Sequence, residues 1–276
     1  MTDFQRQFGQ WGLVSGAAEG IGAAYGEMLA KRGINVILVD VKKDEMESHA
    51  RHLQSEYQIK TISKVIDLGS EEAASQCMDI IRETGCRMLV YNAAYSRVKP
   101  FLSAEAGELD QYINVNARTP LRLAYLYSGW LKSEGRSGGL LLMSSLAGLW
   151  GTGLVATYSG TKGFNLLLAE ALSRELRHFD IRVSVCVAGA TATPGYLRTQ
   201  PQYGFIRPSV MKPEEVASYA LKKLGKKTVI IPGMMNRMTY FLLTRIFPRS
   251  LSVRMMNHTM ERNYRQLNSL GKSCDY

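Results

Sequence analysis

The chain has 276 residues, 46% hydrophobic and 21% charged, enough apolar mass for one large core. That excludes a disordered or fibrous protein, and the four cysteines (Cys77, Cys86, Cys186, Cys274), lacking metal-like or redox spacing, exclude a disulfide scaffold and read as idle thiols in a reducing compartment. The net charge of +10 sits at the end of the chain, where residues 205–276 carry 13 Lys/Arg against 4 Asp/Glu; the rest is near neutral, so a nucleic-acid partner is not expected.

In chain order, short runs rich in Val, Ile and Leu predict strands at Leu13–Ser15, Asn35–Asp40, Thr61–Ile66, Met88–Tyr91, Leu140–Met143, Ile181–Val187 and Thr228–Ile231. Spaced apolar residues with charged faces predict helices over 21–32, 44–57, 70–84, 105–132 and 155–178, with another opened by Pro213. Such alternation implies an α/β fold, a doubly wound parallel seven-stranded sheet with helices on both faces, over residues 1–233. Residues 234–276 change composition and form a basic, Met-rich C-terminal extension. The N-terminus lacks a signal-peptide pattern, and no stretch approaches the roughly 20 apolar residues that span a bilayer, so a cytoplasmic protein is expected.

Directly after the first strand, Gly16, Gly20 and Gly22 form a G-x-x-x-G-x-G turn. Glycines there let the backbone turn tightly and bring a helix N-terminus against a pyrophosphate. Asp40 ends the second strand, where a carboxylate takes ribose hydroxyls and repels a 2′-phosphate. With Glu19 in the turn and no basic residue at position 41, NAD(H) is expected over NADP(H), although Lys42 and Lys43 follow closely. Tyr158 and Lys162 lie four apart at the start of a helix and share a face, so that the ammonium favours the phenolate and brings proton transfer into range. A second Tyr-x-x-x-Lys, Tyr219 and Lys223, lacks the preceding Ser144-Ser145 at a strand end; position 206, the equivalent place, is Ile. His49 and His52 lie three apart on a helix without a carboxylate or Cys framework, and no metal site is expected.

These residues, in this order and spacing, resemble the short-chain dehydrogenase/reductase family over about residues 9–233. The resemblance implies a single Rossmann domain with Gly16, Gly20, Ile21 and Gly22 in the cofactor turn and Asp67-Leu68 near adenine. It places Asn92 and Ala93 in the family's Asn-Asn-Ala-Gly stretch, and Gly189, Thr191 and Thr193 after the sixth strand as cofactor contacts. Its catalytic four fall on Asn116, Ser145, Tyr158 and Lys162. By resemblance Tyr158 is the general acid or base, Lys162 lowers its pKa and holds the nicotinamide ribose, Ser145 binds the substrate oxygen and Asn116 positions a relay water. Tyr91, Ala94 and Ala188 depart from the family's Asn, Gly and Pro, which touches local geometry more than chemistry. The endings typical of bacterial ketoacyl-carrier-protein reductases are missing, so their tetramer interface is not implied.

The loop from Ala190 to Lys212, with Tyr196, Leu197, Tyr203, Phe205 and Ile206, and Leu149-Trp150 after the catalytic Ser suggest a wide apolar pocket under a movable lid. The expected activity is alcohol–ketone interconversion on a bulky lipophilic, hydroxysteroid-like substrate. A long-chain ketoacyl reductase is the alternative, and a catalytically silent cofactor-binding scaffold is the alternative from another class. Arg97 and Arg207 are candidates for an anionic substrate group, although a plain surface Arg is the more ordinary reading of each. A homodimer or homo-oligomer is expected. The extension, whose longest uncharged run is Met238 to Thr244, either folds over the pocket, makes a dimer contact or lies at a membrane surface.

Overall fold

Strands without a polar face must be covered on both sides, and this requirement organises the molecule. The computed structural model describes residues 2–203 and 208–265; Phe205, Ile206, Arg207, Cys274 and the extension beyond Arg265 lie outside the described residues. Among the described residues the order is α1 (Asp3–Phe8), β1 (Trp11–Ser15), α2 (Gly20–Ala30), β2 (Asn35–Asp40), α3 (Lys43–Tyr57), β3 (Thr61–Val65), α4 (Ala73–Thr84) and β4 (Met88–Tyr91). There follow α5 (Ala106–Ile113), α6 (Thr119–Ser133), β5 (Gly138–Ser145), α7 (Ala156–Glu175), β6 (Ile181–Ala188), α8 (Pro194–Arg198) and α9 (Pro213–Lys223). β7 (Val229–Ile230), α10 (Met234–Phe241) and α11 (Arg249–Asn263) complete it. The strands form one parallel sheet in the order β3-β2-β1-β4-β5-β6-β7.

Alternate strand residues serve opposite layers, as the two-residue period of a strand requires. Leu13, Ile37, Val39, Leu89, Leu140 and Leu142 pack under α4, α6 and α7. Val14, Val36, Leu38, Val90, Leu141 and Met143 pack under α2, α3 and α9. The strand order reverses between β1 and β4, whose register pairs Ser15 with Tyr91, and such a switch point opens a crevice at the carboxyl ends of the strands.

Two differences from the sequence expectation have clear causes. The N-terminal helix α1 is not foreseen; its signal is the Thr2–Gln5 capping box, in which each side chain meets the other's backbone N–H. The helix expected over 105–132 is interrupted by a π-helical turn at Asn114–Arg118. Pro120 has no N–H to give the Asn116 carbonyl four residues earlier, so that oxygen is released from the helix ladder and accepts from Asn165 Nδ2 at 2.9 Å.

Candidate active site

The loops at the carboxyl edge converge on the glycine turn after β1. Gly16 has φ +65° and Gly20 φ +62°, the left-handed region that favours glycine. A Cβ at Gly16 would lie 2.8 Å from Ala93 Cα, one at Gly20 3.0 Å from Thr193 Cγ2, and one at Gly22 1.7 Å from the Gly16 carbonyl oxygen. Asn92 locks the turn to β4, its Nδ2 donating to Gly16 O at 3.1 Å and its N–H to Ser15 Oγ at 3.1 Å. Glu19 precedes α2 without capping it, so its side chain leaves the first-turn N–H groups beside Ile21 untaken. A cradle that side chains would fill, beneath an uncapped helix start, fits a dinucleotide pyrophosphate.

The other expected cofactor residues stand around this crevice. Asp67 is exposed and accepts from Gly69 N at 2.8 Å, while buried Leu68 receives the Thr119 hydroxyl on its carbonyl at 2.7 Å. Gly189 lies against Asn236, where a Cβ would meet Nδ2 at 2.5 Å. Thr191 is buried, its hydroxyl donating to Gly189 O at 3.0 Å, and Thr193 caps α8 by accepting from Tyr196 N at 3.1 Å.

Ser145, Tyr158 and Lys162 come together where β5 ends and α7 begins. The Ser145 hydroxyl lies close enough to the Tyr158 phenol to favour its phenolate. The Lys162 ammonium is buried, 5.5 Å from the centre of the Tyr158 ring, and donates to Met143 O at 3.2 Å. Burial pushes the Tyr158 phenol above its ordinary value, opposed by Ser145, and burial pulls Lys162 down to about 8. In the chain itself loss of solvent is the largest influence on the Tyr158 phenol. A phenol held protonated is suited to donating a proton.

Asn116 is fully buried, with its side chain engaged on the segment after β4: Oδ1 accepts from Tyr95 N at 2.7 Å, and Nδ2 donates to Tyr95 O at 2.9 Å and Thr161 Oγ1 at 3.2 Å. Asn165, absent from the sequence reading, ties β5 to this turn by donating to both Asn116 O and Met143 O. Its position three residues after Lys162, on the same helix face, is the signal that could have found it.

Other candidates lie elsewhere. The Tyr219 hydroxyl accepts from Arg237 Nη1 at 2.5 Å and its ring lies under that guanidinium, away from Ser145. His49 is half-buried against the Ala23 carbonyl at 3.1 Å, and Arg97 is exposed over the Tyr95 ring. Cys77, Cys86 and Cys186 are free and buried, and burial pushes each thiol up to about 12.

The two ends of the loop expected to form a lid are joined, Ala192 N donating to Met211 O at 2.9 Å and Met211 N to Ala190 O at 3.0 Å. A groove of about 690 Å³ is lined by residues 148–153, Phe164, Leu167 and Arg249 on the outer side of α7; Tyr158 does not line it. Among the described residues, no helix is long and apolar enough to cross a membrane.

A short chain dehydrogenase family profile matches residues 10–203. The chain is 30% identical over 237 residues to a 7beta-hydroxysteroid dehydrogenase of Clostridium sardiniense, spanning 85% of this chain and 90% of that one. A solved structure described for 7beta-hydroxysteroid dehydrogenase stereoselectivity superposes with a TM-score of 0.84 at 25% identity, over 92% of this chain and 99% of that one. A short-chain dehydrogenase from Sphingobium yanoikuyae in complex with NADPH superposes with a TM-score of 0.74 at 25% identity, over 86% of this chain and 96% of that one.

That NADPH complex overturns the expectation that NADP(H) is the less favoured cofactor. The expectation counts Asp40 and Glu19 as free negative charge, and the structure does not leave them so. Asp40 accepts from Ala18 N at 2.9 Å and Lys42 N at 3.0 Å, which makes it a brace of the turn. Glu19 is paired with Lys42 at 2.7 Å and Arg198 at 3.0 Å, so two cations reach this corner of the crevice. From the extent of the profile match and the identity to relatives along most of its length, the chain belongs to the short-chain dehydrogenase family.

Proposed function

We propose that this protein is an NAD(P)-dependent oxidoreductase that interconverts a ketone and a secondary alcohol on a bulky lipophilic, hydroxysteroid-like substrate. The observation that carries the chemistry is the junction of Ser145, Tyr158 and buried Lys162 at the edge of the glycine cradle. The substrate class draws on likeness to a 7beta-hydroxysteroid dehydrogenase at 30% identity. Gly16, Gly20, Ile21, Gly22, Asn92, Gly189, Thr191 and Thr193 would hold the cofactor, with Asp67-Leu68 near its adenine. Bound NAD(P)H supplies the hydride.

The chain's own residues do the rest. Ser145 and Tyr158 hold the substrate oxygen between their hydroxyls, and Tyr158 donates its proton as the oxygen gains charge. Lys162, positive below about pH 8, stabilises the phenolate left behind. Asn116, engaged on Tyr95 and Thr161, holds the wall of this proton path in place. A retained scaffold without turnover is the reading to eliminate. Purified protein assayed with NADH and NADPH against hydroxysteroid ketones, ketoacyl thioesters and small ketones decides it: oxidation of neither cofactor with any ketone sinks the proposal.

Residues 1–233 are read as the catalytic unit and 234–276 as an appended segment. A second copy is the proposed partner for the outer faces of α6 and α7, where Leu121, Tyr125, Phe164 and Leu167 are exposed. Peripheral contact of α10 and the π-helical turn that continues it (Leu242–Ile246) with a lipid surface draws on their inverted faces, with Met234, Met238, Phe241 and Ile246 outward and Asn236 and Leu243 inward. Light scattering tests the first and flotation with anionic vesicles the second.

A further inference from the structure

Asn165, on α7, is 1% exposed and joins two carbonyls that regular structure leaves over. The Asn116 carbonyl, released by Pro120, accepts from Asn165 Nδ2 at 2.9 Å. β4 pairs with β5 only as far as Leu142, so Met143 is the first residue beyond that ladder, and its carbonyl accepts from the same Nδ2 at 3.4 Å. Asn165 Oδ1, by contrast, is fully buried without a hydrogen-bond partner among the described residues. An unpaired buried acceptor destabilises the core in a way that a Leu of similar size would not, so the position calls for a role beyond filling space.

The Met143 carbonyl is also where the Lys162 ammonium rests, Nζ donating to it at 3.2 Å. An ammonium and an amide thus converge on one oxygen, and two donors with their positive ends toward one acceptor weaken each other's hold. The Lys162 backbone is fixed to β5, its carbonyl accepting from Ser144 Oγ at 2.8 Å, which leaves the flexible stem as the part that moves. The centre of the Tyr158 ring lies 5.5 Å from Nζ. Burial, which pulls Lys162 down to about 8, makes its charge sensitive to pH near neutrality. Its titratable neighbours stay protonated there: burial pushes up Tyr158 on α7, Tyr25 on α2 and, to about 12, Cys186 on β6. Tyr112 on α5 acts on Tyr158, and Arg118, in the π-helical turn, donates to Gly69 O at 2.7 Å and keeps its charge throughout.

We infer that Asn165 is a positioning residue for Lys162: by holding the Met143 and Asn116 carbonyls with its amide, it keeps the ammonium from settling on them and leaves it for the Tyr158 phenol. This rests on the proposed ketone-reductase reading of the site. Asn165 acts only through Lys162. Without its amide, both carbonyls are left to the ammonium, which favours the charged form and draws the head of the side chain away from Tyr158.

The test compares Asn165→Leu with wild type, both as the full chain, in two measurements. In the cofactor-free protein, NMR of isotope-labelled lysine Cε atoms, with Lys162 assigned through Lys162→Met, reads the titration of the ammonium directly. In Asn165→Leu that titration should move up by at least about half a unit, as for any charged group given a better acceptor. In the second, kcat/KM for ketone reduction with NADPH should fall at least about fivefold at neutral pH, with its alkaline limb displaced in the same direction. A titration that stays in place or moves down overturns the inference, and so does a moved titration with an unchanged rate. A slower reaction with titration and alkaline limb both unmoved marks a merely structural role and overturns it as well. Should Asn165→Leu fail to fold, Asn165→Ser, too short to hold both carbonyls, carries the same expectations. Should the wild type reduce no ketone, the proposed function fails, and the titration still decides whether Asn165 governs Lys162.

Discussion

The carboxyl edge of the sheet is built in two ways. Around β1 and α2 the site is an absence of side chains: backbone approaches backbone at distances a single Cβ would violate, and the nearby carboxylates are spent on N–H groups and cations. Around β5 and α7 it is a set of side chains, Ser145, Tyr158 and Lys162, beside a π-helical turn that Asn165 of α7 ties to β5. On the proposed function, the first region serves cofactor fit and the second protonation. Substitutions in the two should therefore fail differently, one in cofactor affinity and the other in turnover.

The largest expected effect is at Tyr158. Tyr158→Phe should lower kcat by at least ~10²-fold while leaving NADPH affinity within about twofold, measured by single-turnover kinetics and fluorescence titration. A variant keeping more than about a tenth of the wild-type rate removes Tyr158 from the acid–base role.

Gly16→Ala should do the reverse. Its φ of +65° and the 2.8 Å approach to Ala93 Cα force the turn to shift, so NADPH affinity should fall at least about tenfold, with kcat at saturating cofactor reduced by no more than about threefold. Equal losses in both constants would erase the distinction between the two regions.

Lys162 sharpens the comparison through pH. Its folded pKa of about 8 lies below its ordinary 10.5, so the unfolded chain binds more protons between those values and stability contributed by this position rises with pH across that window. Lys162→Met removes the cost of a buried ammonium and should be more stable than wild type by about 3 kcal/mol at pH 7, an advantage that shrinks between pH 8 and 10.5. Denaturant melts of both proteins across that range check it, and a constant difference with pH sinks it. The wild-type reduction rate should also fall as pH passes about 8, where Lys162 loses its charge.

The smallest effect is expected at Asp40. Because its oxygens brace Ala18 and Lys42 amides, Asp40→Ala should weaken NADH and NADPH binding together by a few-fold, about 1 kcal/mol. A selective gain for NADPH would show that the carboxylate acts on the 2′-position after all.

How far the sequence can be read follows from the range of the forces involved. The strands at Asn35–Asp40 and Met88–Tyr91 were legible to the residue because an apolar run buried on both faces leaves its mark in the run itself. The spacing of Gly16, Gly20 and Gly22 along a turn is a local property, whereas Tyr158–Lys162 is separated from Tyr219–Lys223 only by the Ser144-Ser145 before it and by the family resemblance. The break inside 105–132 was written as Pro120, but its consequence, a carbonyl handed to Asn165, needed the neighbouring helix to be visible.

Composition and periodicity thus determined the α/β alternation and the two-sided core, since each depends on residues within about one element of one another. Only the tertiary structure decided what the charges and the tail do. Asp40 and Glu19 are negative in any sequence reading, yet their effect on a cofactor depends on partners at Ala18, Lys42 and Arg198 that only folding brings near. Likewise Asn257 meets Gly151 and Gly153 across more than a hundred residues, and Tyr158 and Lys162 owe their shifted protonation to burial that no spacing records.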